Sequence, residues 1–326
     1  GATLLSDLTQ LEEVLAQGKR VWFVTDGERL LKRFEAGFAR EVLERFEVVR
    51  ADDSARVLLF TGKPPLPAPA WIEPFAPIDF TDWMTLERIA RSEIETGGDL
   101  FVRTGWVLAE DAKSPTISVQ LVSEDGARPT SADGVLAEGV INPGQAEGAP
   151  IPDTKRLRTP DDLRNGLYRL EIVAYRAASG DPFGPPVPVD WFWVGPPPAA
   201  PALPISANWR NGIELIGADP LPATLDAGAP LTLRLRWQTN TALAEEYTAF
   251  VHLMGPDDHA PRHGFWPTTG WRRGAAVDDV YTLTPPSLLE PGVYRLLVGW
   301  YAVATGERLL LEGGSDALEL TQWRVP

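Results

Sequence analysis

The 326 residues carry a net charge of −15, 44% hydrophobic and 23% charged side chains, and no cysteine. Zero Cys excludes disulfides, zinc-thiolate sites, iron-sulfur clusters and thiol catalysis together. The acidic balance argues against nucleic acid or anionic lipid as a partner, since both need clustered Lys and Arg. At ~100 to 200 residues per domain the length fits two or three domains.

The amino end reads as a small α/β unit over residues 1–62. Asp7 with Gln10 and Thr9 with Glu12 are capping-box pairs, and Leu8, Leu11, Val14 and Leu15 keep helical spacing up to Gly18. Val21 to Thr25 is a short apolar run of strand formers, and Asp26 can cap a second helix carrying Leu30, Phe34, Phe38 and Val42 on one stripe. Phe46 to Arg50 and Arg56 to Phe60 are expected to be two further strands. A strand running into a helix invites a phosphate site. The turn Thr25-Asp26-Gly27-Glu28 instead has no Gly-rich loop and no P-loop Lys, and it places carboxylates where a phosphate would sit.

Six prolines between Lys63 and Pro77 mark a linker over 63–77, and Gly195 to Pro204 marks a second over 195–204. The segments that they bound, 78–194 and 205–326, say nearly the same thing twice. Gly166-Leu167-Tyr168-Arg169-Leu170 returns 126 positions on as Gly292-Val293-Tyr294-Arg295-Leu296, and Asp153 and Leu157 answer to Asp279 and Leu283. Upstream, Leu100, Val102, Thr104 and Trp106 answer to Leu231, Leu233, Leu235 and Trp237, alternating with polar residues as in a sheet with one buried face. The expected fold is mainly β: the α/β unit, then two tandem β-sandwiches, immunoglobulin-like or jelly-roll, related by internal duplication. Val293 to Tyr301 and Glu307 to Leu311 are expected to form a hairpin in which Gly306 takes a positive φ.

Candidate chemistry is sparse. Trp106 and Trp237 occupy equivalent alternating positions and read as core, while Trp191 and Trp193 share one strand face. Trp266 and Trp271 flank Pro267-Thr268-Thr269-Gly270, a stretch that the first copy does not repeat. With His263 they are the candidate carbohydrate-binding residues, as a surface aromatic platform. His259 and His263 have helical ligand spacing and could be joined by Asp257 or Asp258, but Pro261 and Gly264 argue against a helix, so no metal is expected. His252 answers to Gln120, which favours a hydrogen-bonding role. Neighbouring carboxylates such as Asp278-Asp279 cannot converge from one strand as a glycosidase pair must, and their settings read as caps and turns. There is no Gly-x-Ser-x-Gly elbow, no Ser/His/Asp set and no cofactor motif.

The string Phe250-Val251-His252-Leu253, Pro267-Thr268, Trp271, Gly274, Asp279, Tyr281, Leu283, Pro291-Gly292-Val293-Tyr294, Gly299, Tyr301 and Thr305-Gly306-Glu307-Arg308-Leu309 resembles the extracytoplasmic tail of bacterial GT-C membrane glycosyltransferases, the dolichyl-phosphate-mannose protein mannosyltransferase group. The resemblance covers Gly212 to Leu320 best. The family's Asp shortly after the Phe-x-His-Leu strand is replaced here by Arg262-His263-Gly264-Phe265, so its role does not carry over. The resemblance implies a noncatalytic region outside the membrane that holds a glycan or protein acceptor or acts as a scaffold. Its parent would be a glycosyltransferase whose catalytic carboxylates lie elsewhere. No run here reaches the ~18 apolar residues of a membrane helix, and no signal-peptide pattern opens the chain. Gly1 stands where a start methionine would, so a piece of a longer protein is expected, with the membrane anchor removed. The alternatives are a secreted carbohydrate-binding or glycosidase-accessory protein, and an enzyme acting where the α/β unit meets the first sandwich.

Overall fold

A computed structural model describes residues 8–17, 21–26, 47–52, 57–62, 70–72, 75–109, 114–139, 149–253 and 256–326. The chain divides into two compact units, Gly1–Gly195 and Pro196–Pro326.

The first unit opens with helix α1 (Leu8–Leu15) and a three-stranded antiparallel sheet of β1 (Val21–Asp26), β2 (Glu47–Asp52) and β3 (Val57–Gly62) in the order β1-β3-β2. Because the helix already includes Leu8, Thr9 lies in its first turn and is not a cap. Asp7 and the expected second helix with Leu30, Phe34, Phe38 and Val42 lie outside the described residues. Leu11 is fully buried in the apolar cluster of this unit, as the helical stripe requires.

Eight strands follow: β4 (Ile78–Thr81), β5 (Met84–Arg91), β6 (Asp99–Leu108), β7 (Thr116–Ser123), β8 (Thr130–Val135), β9 (Ile151–Arg158), β10 (Gly166–Tyr175) and β11 (Val187–Val194). They form two four-stranded antiparallel sheets, β4-β5-β6-β9 and β11-β10-β7-β8. The inward faces supply Leu86, Val102, Trp106, Val119, Leu121, Leu170 and Ile172, all at most 1% exposed. Proline-rich sequence cannot ladder as a strand, yet its end is not free here. Ile72 N–H donates to Ile89 O at 2.9 Å, and the Arg88 and Arg103 guanidinium groups lie 4.3 and 4.7 Å from the Trp71 ring centre.

The second unit repeats this order strand for strand. Its strands are β12 (Leu203–Asn208), β13 (Ile213–Ala218), β14 (Leu231–Thr239), β15 (Tyr247–His252), β16 (Pro256–His259), β17 (Val277–Leu283), β18 (Gly292–Ala302) and β19 (Leu318–Val325). Its sheets are β12-β13-β14-β17 and β16-β15-β18-β19, again antiparallel. Both units are therefore β-sandwich-like. Leu233, Leu235 and Trp237 on β14 are fully buried. Trp209, Trp237, Trp300 and Trp271 run through this core as an edge-to-face chain with centroids 5.6, 4.9 and 5.7 Å apart. Before β12, Arg236 Nη2 donates to Pro198 O at 2.8 Å and Arg234 Nη1 to Ala199 O at 2.9 Å, which straps the proline-rich stretch to its own sandwich.

One expected hairpin differs. Gly306 does take φ +70° and the turn closes, with Ala302 N–H donating to Glu307 O and Leu309 N–H to Trp300 O, but the pairing stops at the isolated Tyr301–Arg308 bridge, and the strands that ladder with β18 are β15 and β19. Beyond the bridge the Arg308 guanidinium lies over the Phe250 ring, 4.5 Å from its centre, and Leu311 bridges to Trp209.

Candidate functional site

The three candidate residues of the sequence lie on the connection between β16 and β17, where the chain leaves one sheet of the second unit and enters the other. The pleat of β17 sorts its side chains. Val277, Asp279, Tyr281 and Leu283 face inward and are at most 5% exposed, and Asp278 points the opposite way. Sequence reading assigned Asp278-Asp279 to a turn, whereas the pair lies within a strand with its carboxylates on opposite faces. Asp278 takes two hydrogen bonds of 2.6 Å from Arg236 Nε and Nη2, an arrangement that also holds the guanidinium above its ordinary pKa.

Asp279 is 1% exposed and every polar contact it makes is internal. Oδ1 accepts from the Arg262 and Val280 backbone N–H groups, both at 3.1 Å, and Oδ2 accepts from the Tyr281 hydroxyl at 2.9 Å. Burial pushes the Asp279 carboxyl above the usual carboxylate range, and His259, the Tyr281 O–H and the Arg262 N–H oppose that shift. Burial also raises the Tyr281 phenol well above its ordinary value, with the Asp279 charge second. The His259 ring stacks on Tyr281 at 4.5 Å, its Nδ1 lies 3.7 Å from Asp279 Oδ2, and the same Nδ1 meets Ala260 O at 3.0 Å.

The amide that Asp279 captures belongs to a strained turn. Arg262 and His263 take φ of 52° and 53° within Pro261–Gly264, a left-handed pair that costs ~1–2 kcal/mol per residue for side chains with a Cβ. The carboxylate holds that turn in place. The first unit makes the same arrangement at the equivalent aspartate: Asp153 Oδ1 accepts from the N–H of Ala137, itself at φ 48°, at 3.0 Å. There the compensating group is Lys155, whose Nζ donates to Asp153 Oδ1 at 2.8 Å, at the strand position that Tyr281 fills in the second unit.

The expected aromatic platform is corrected by burial. Trp266 and Trp271 are 5% and 3% exposed; the Trp266 indole donates to Gly270 O and the Trp271 indole to Trp266 O, each at 3.1 Å. Thr268 between them is fully buried, donates to Glu245 O and accepts from the Tyr247 N–H. The stretch that looked like a surface loop is a plug, because indole rings close the sandwich more favourably than they face water. His263 is exposed, and its ring centre lies 4.1 Å from that of His259. The two candidate carboxylates for these imidazoles are engaged elsewhere: Asp257 accepts from Thr282 N–H and Asp258 pairs with His252 Nε2 at 2.8 Å. Among the described residues no group of three His, Cys, Asp or Glu side chains has a metal-binding arrangement. His252 is thus a hydrogen-bonding position, as Gln120 is in the first unit, where it donates to Ser118.

Sequence reading missed the link from Tyr281 and His259 to Asp279. The signal was present as Asp-x-Tyr against Asp-x-Lys at the repeated position, since residues two apart on a strand share a face.

No family model matches the chain, and no curated protein matches it. Two solved structures share a low overall overlap with the chain. The red sea bream transglutaminase is 13% identical over 76% of this chain with a TM-score of 0.23, and this chain spans only 32% of it. The C-terminal domain of the Streptococcus pyogenes antigen I/II-family protein AspA is 10% identical over 76% of this chain and 98% of its own length, with a TM-score of 0.20.

Proposed function

We propose that this chain is the noncatalytic, extracytoplasmic part of a membrane glycosyltransferase and that it serves as a scaffold built from two copies of one sandwich. The observation that carries this reading is the twin aspartate. Asp153 and Asp279, the most chemistry-like of the repeated residues, both hold a left-handed backbone amide inside their own unit. A carboxyl group with a raised pKa is also the profile of a general acid or base. The 1% exposure of Asp279 and its fully internal contacts favour framework over catalysis.

One feature supports duplication and another an immunoglobulin-like sandwich over a jelly-roll. The strand orders of the two units coincide. In each, a tyrosine near the start of the strand after the sheet-to-sheet corner hydrogen-bonds back to a carbonyl four residues earlier, Tyr168 to Arg164 O at 3.0 Å and Tyr294 to Glu290 O at 2.9 Å, as in the tyrosine corner of that fold. Scaffolding is favoured over glycan binding because the tryptophans proposed as a sugar platform face inward.

The test is the complete reading frame combined with activity. Several long apolar spans upstream, together with no glycosyl transfer or hydrolysis by the purified chain, are expected. A lone secretion leader would favour the secreted carbohydrate-binding alternative, and hydrolysis that copurifies with the chain would overturn the noncatalytic assignment.

A further inference from the structure

The end of the first sandwich away from the captured-amide turn carries an open groove of about 650 Å³, between the β7–β8 turn and the β9–β10 connection. Its floor is apolar and fixed: Leu163 and Tyr168 are 7% and 4% exposed, and the Tyr168 hydroxyl is tied to Arg164 O. Its rim bears three exposed carboxylates, Glu124, Asp125 and Asp162, against one arginine, Arg164. Asp125 is held in place and kept ionised below the usual carboxylate range by the Ser123 hydroxyl and the Ala127 N–H.

Asp125 serves the β7–β8 turn, but the repeated fold does not require Asp162. At the 126-residue offset Leu163, Gly166 and Tyr168 reappear as Leu289, Gly292 and Tyr294, whereas Asp162 and Arg164 become Leu288 and Glu290. At this connection the floor belongs to the repeated fold, whereas Asp162 and Arg164 belong to the first unit alone.

We propose that this groove is a docking site for a cationic polypeptide segment, with lysine or arginine on the carboxylate rim and an adjoining apolar side chain against Ala127, Pro129 and Pro160, which also line the groove and are not buried. Charge complementarity selects the occupant. Three carboxylates against one arginine reject phosphate, nucleic acid and a second copy of this acidic chain. A peptide supplies both the cation and the apolar contact that a groove of this size and lining accommodates. The site is independent of the glycosyltransferase reading and would stand if that reading failed.

The experiment titrates the full chain with a fluorescein-labelled lysine–leucine hexapeptide, with a glutamate–leucine hexapeptide as control, at low and physiological ionic strength. Saturable binding of the cationic peptide that weakens with salt is expected. The Glu124→Gln/Asp125→Asn/Asp162→Asn variant is expected to bind about tenfold more weakly, from three exposed ion pairs of ordinary strength. The Glu124→Gln/Asp162→Asn variant leaves the Ser123–Asp125 turn intact and should lose an intermediate share, so a loss of folding in the triple variant cannot decide the result. Neutralising three exposed carboxylates of the second unit, Asp226→Asn/Glu307→Gln/Glu312→Gln, should leave binding unchanged. An equal loss in that control, undiminished binding by both groove variants, or equal binding of the glutamate peptide overturns the proposal.

Discussion

Replacing Asp279 by alanine tests the central structural claim most directly. The substitution removes the acceptor of two backbone N–H groups and of the fully buried Tyr281 hydroxyl. Each buried donor left without a partner costs ~1–3 kcal/mol, and relief from burying a carboxylate returns part of that sum. The left-handed Arg262–His263 turn also loses its anchor. A net loss of about 3–5 kcal/mol at neutral pH is expected. At ~4 °C per kcal/mol, the transition of the second unit should fall by roughly 12–20 °C. Calorimetry and hydrogen exchange on the intact chain can read this, because peptides covering residues 256–283 should lose protection before those of the first unit. A loss below about 1 kcal/mol, with β17 still protected, would refute the capture of the Arg262 amide as a stabilising feature.

Three further outcomes follow from the same geometry. The folded-state pKa of Asp279 is raised above its unfolded value near 3.8, so its proton-linked contribution is full below that value and fades as pH rises through the folded pKa. Urea unfolding across a pH series should therefore show the parent gaining on Asp279→Asn as the solution is acidified, and the opposite slope would contradict the assigned burial. Trp266→Ala and Trp271→Ala should each destabilise by about 3–5 kcal/mol, the cost of emptying a buried aromatic site. A neutral effect on the melting temperature would return these rings to the surface. Gly299→Ala should cost about 1–3 kcal/mol by overpacking, since an added Cβ would lie 2.7 Å from Phe250 Cε1 and 2.9 Å from the Asp316 carbonyl oxygen. Unchanged stability in denaturant would show that the Phe250 ring has room to move.

Sequence by itself determined the mainly β character of this chain and the identity of the buried faces. Alternation on a strand is a local property, so Leu231, Leu233, Leu235 and Trp237 announce their buried face without reference to any partner. Gly306 likewise announced its positive φ, because a residue without Cβ takes that conformation at little cost. Tertiary structure decided what local pattern does not encode. Trp266 and Trp271 sit in a sequence that reads as loop, and only the space left between the sheets turns them inward. Asp279 becomes a capping group because the distant Arg262 amide arrives within 3.1 Å of it, and His259 joins it and its strand neighbour Tyr281 from another strand. Where a side chain points follows from its neighbours in sequence; what it meets depends on segments brought together only when the chain folds.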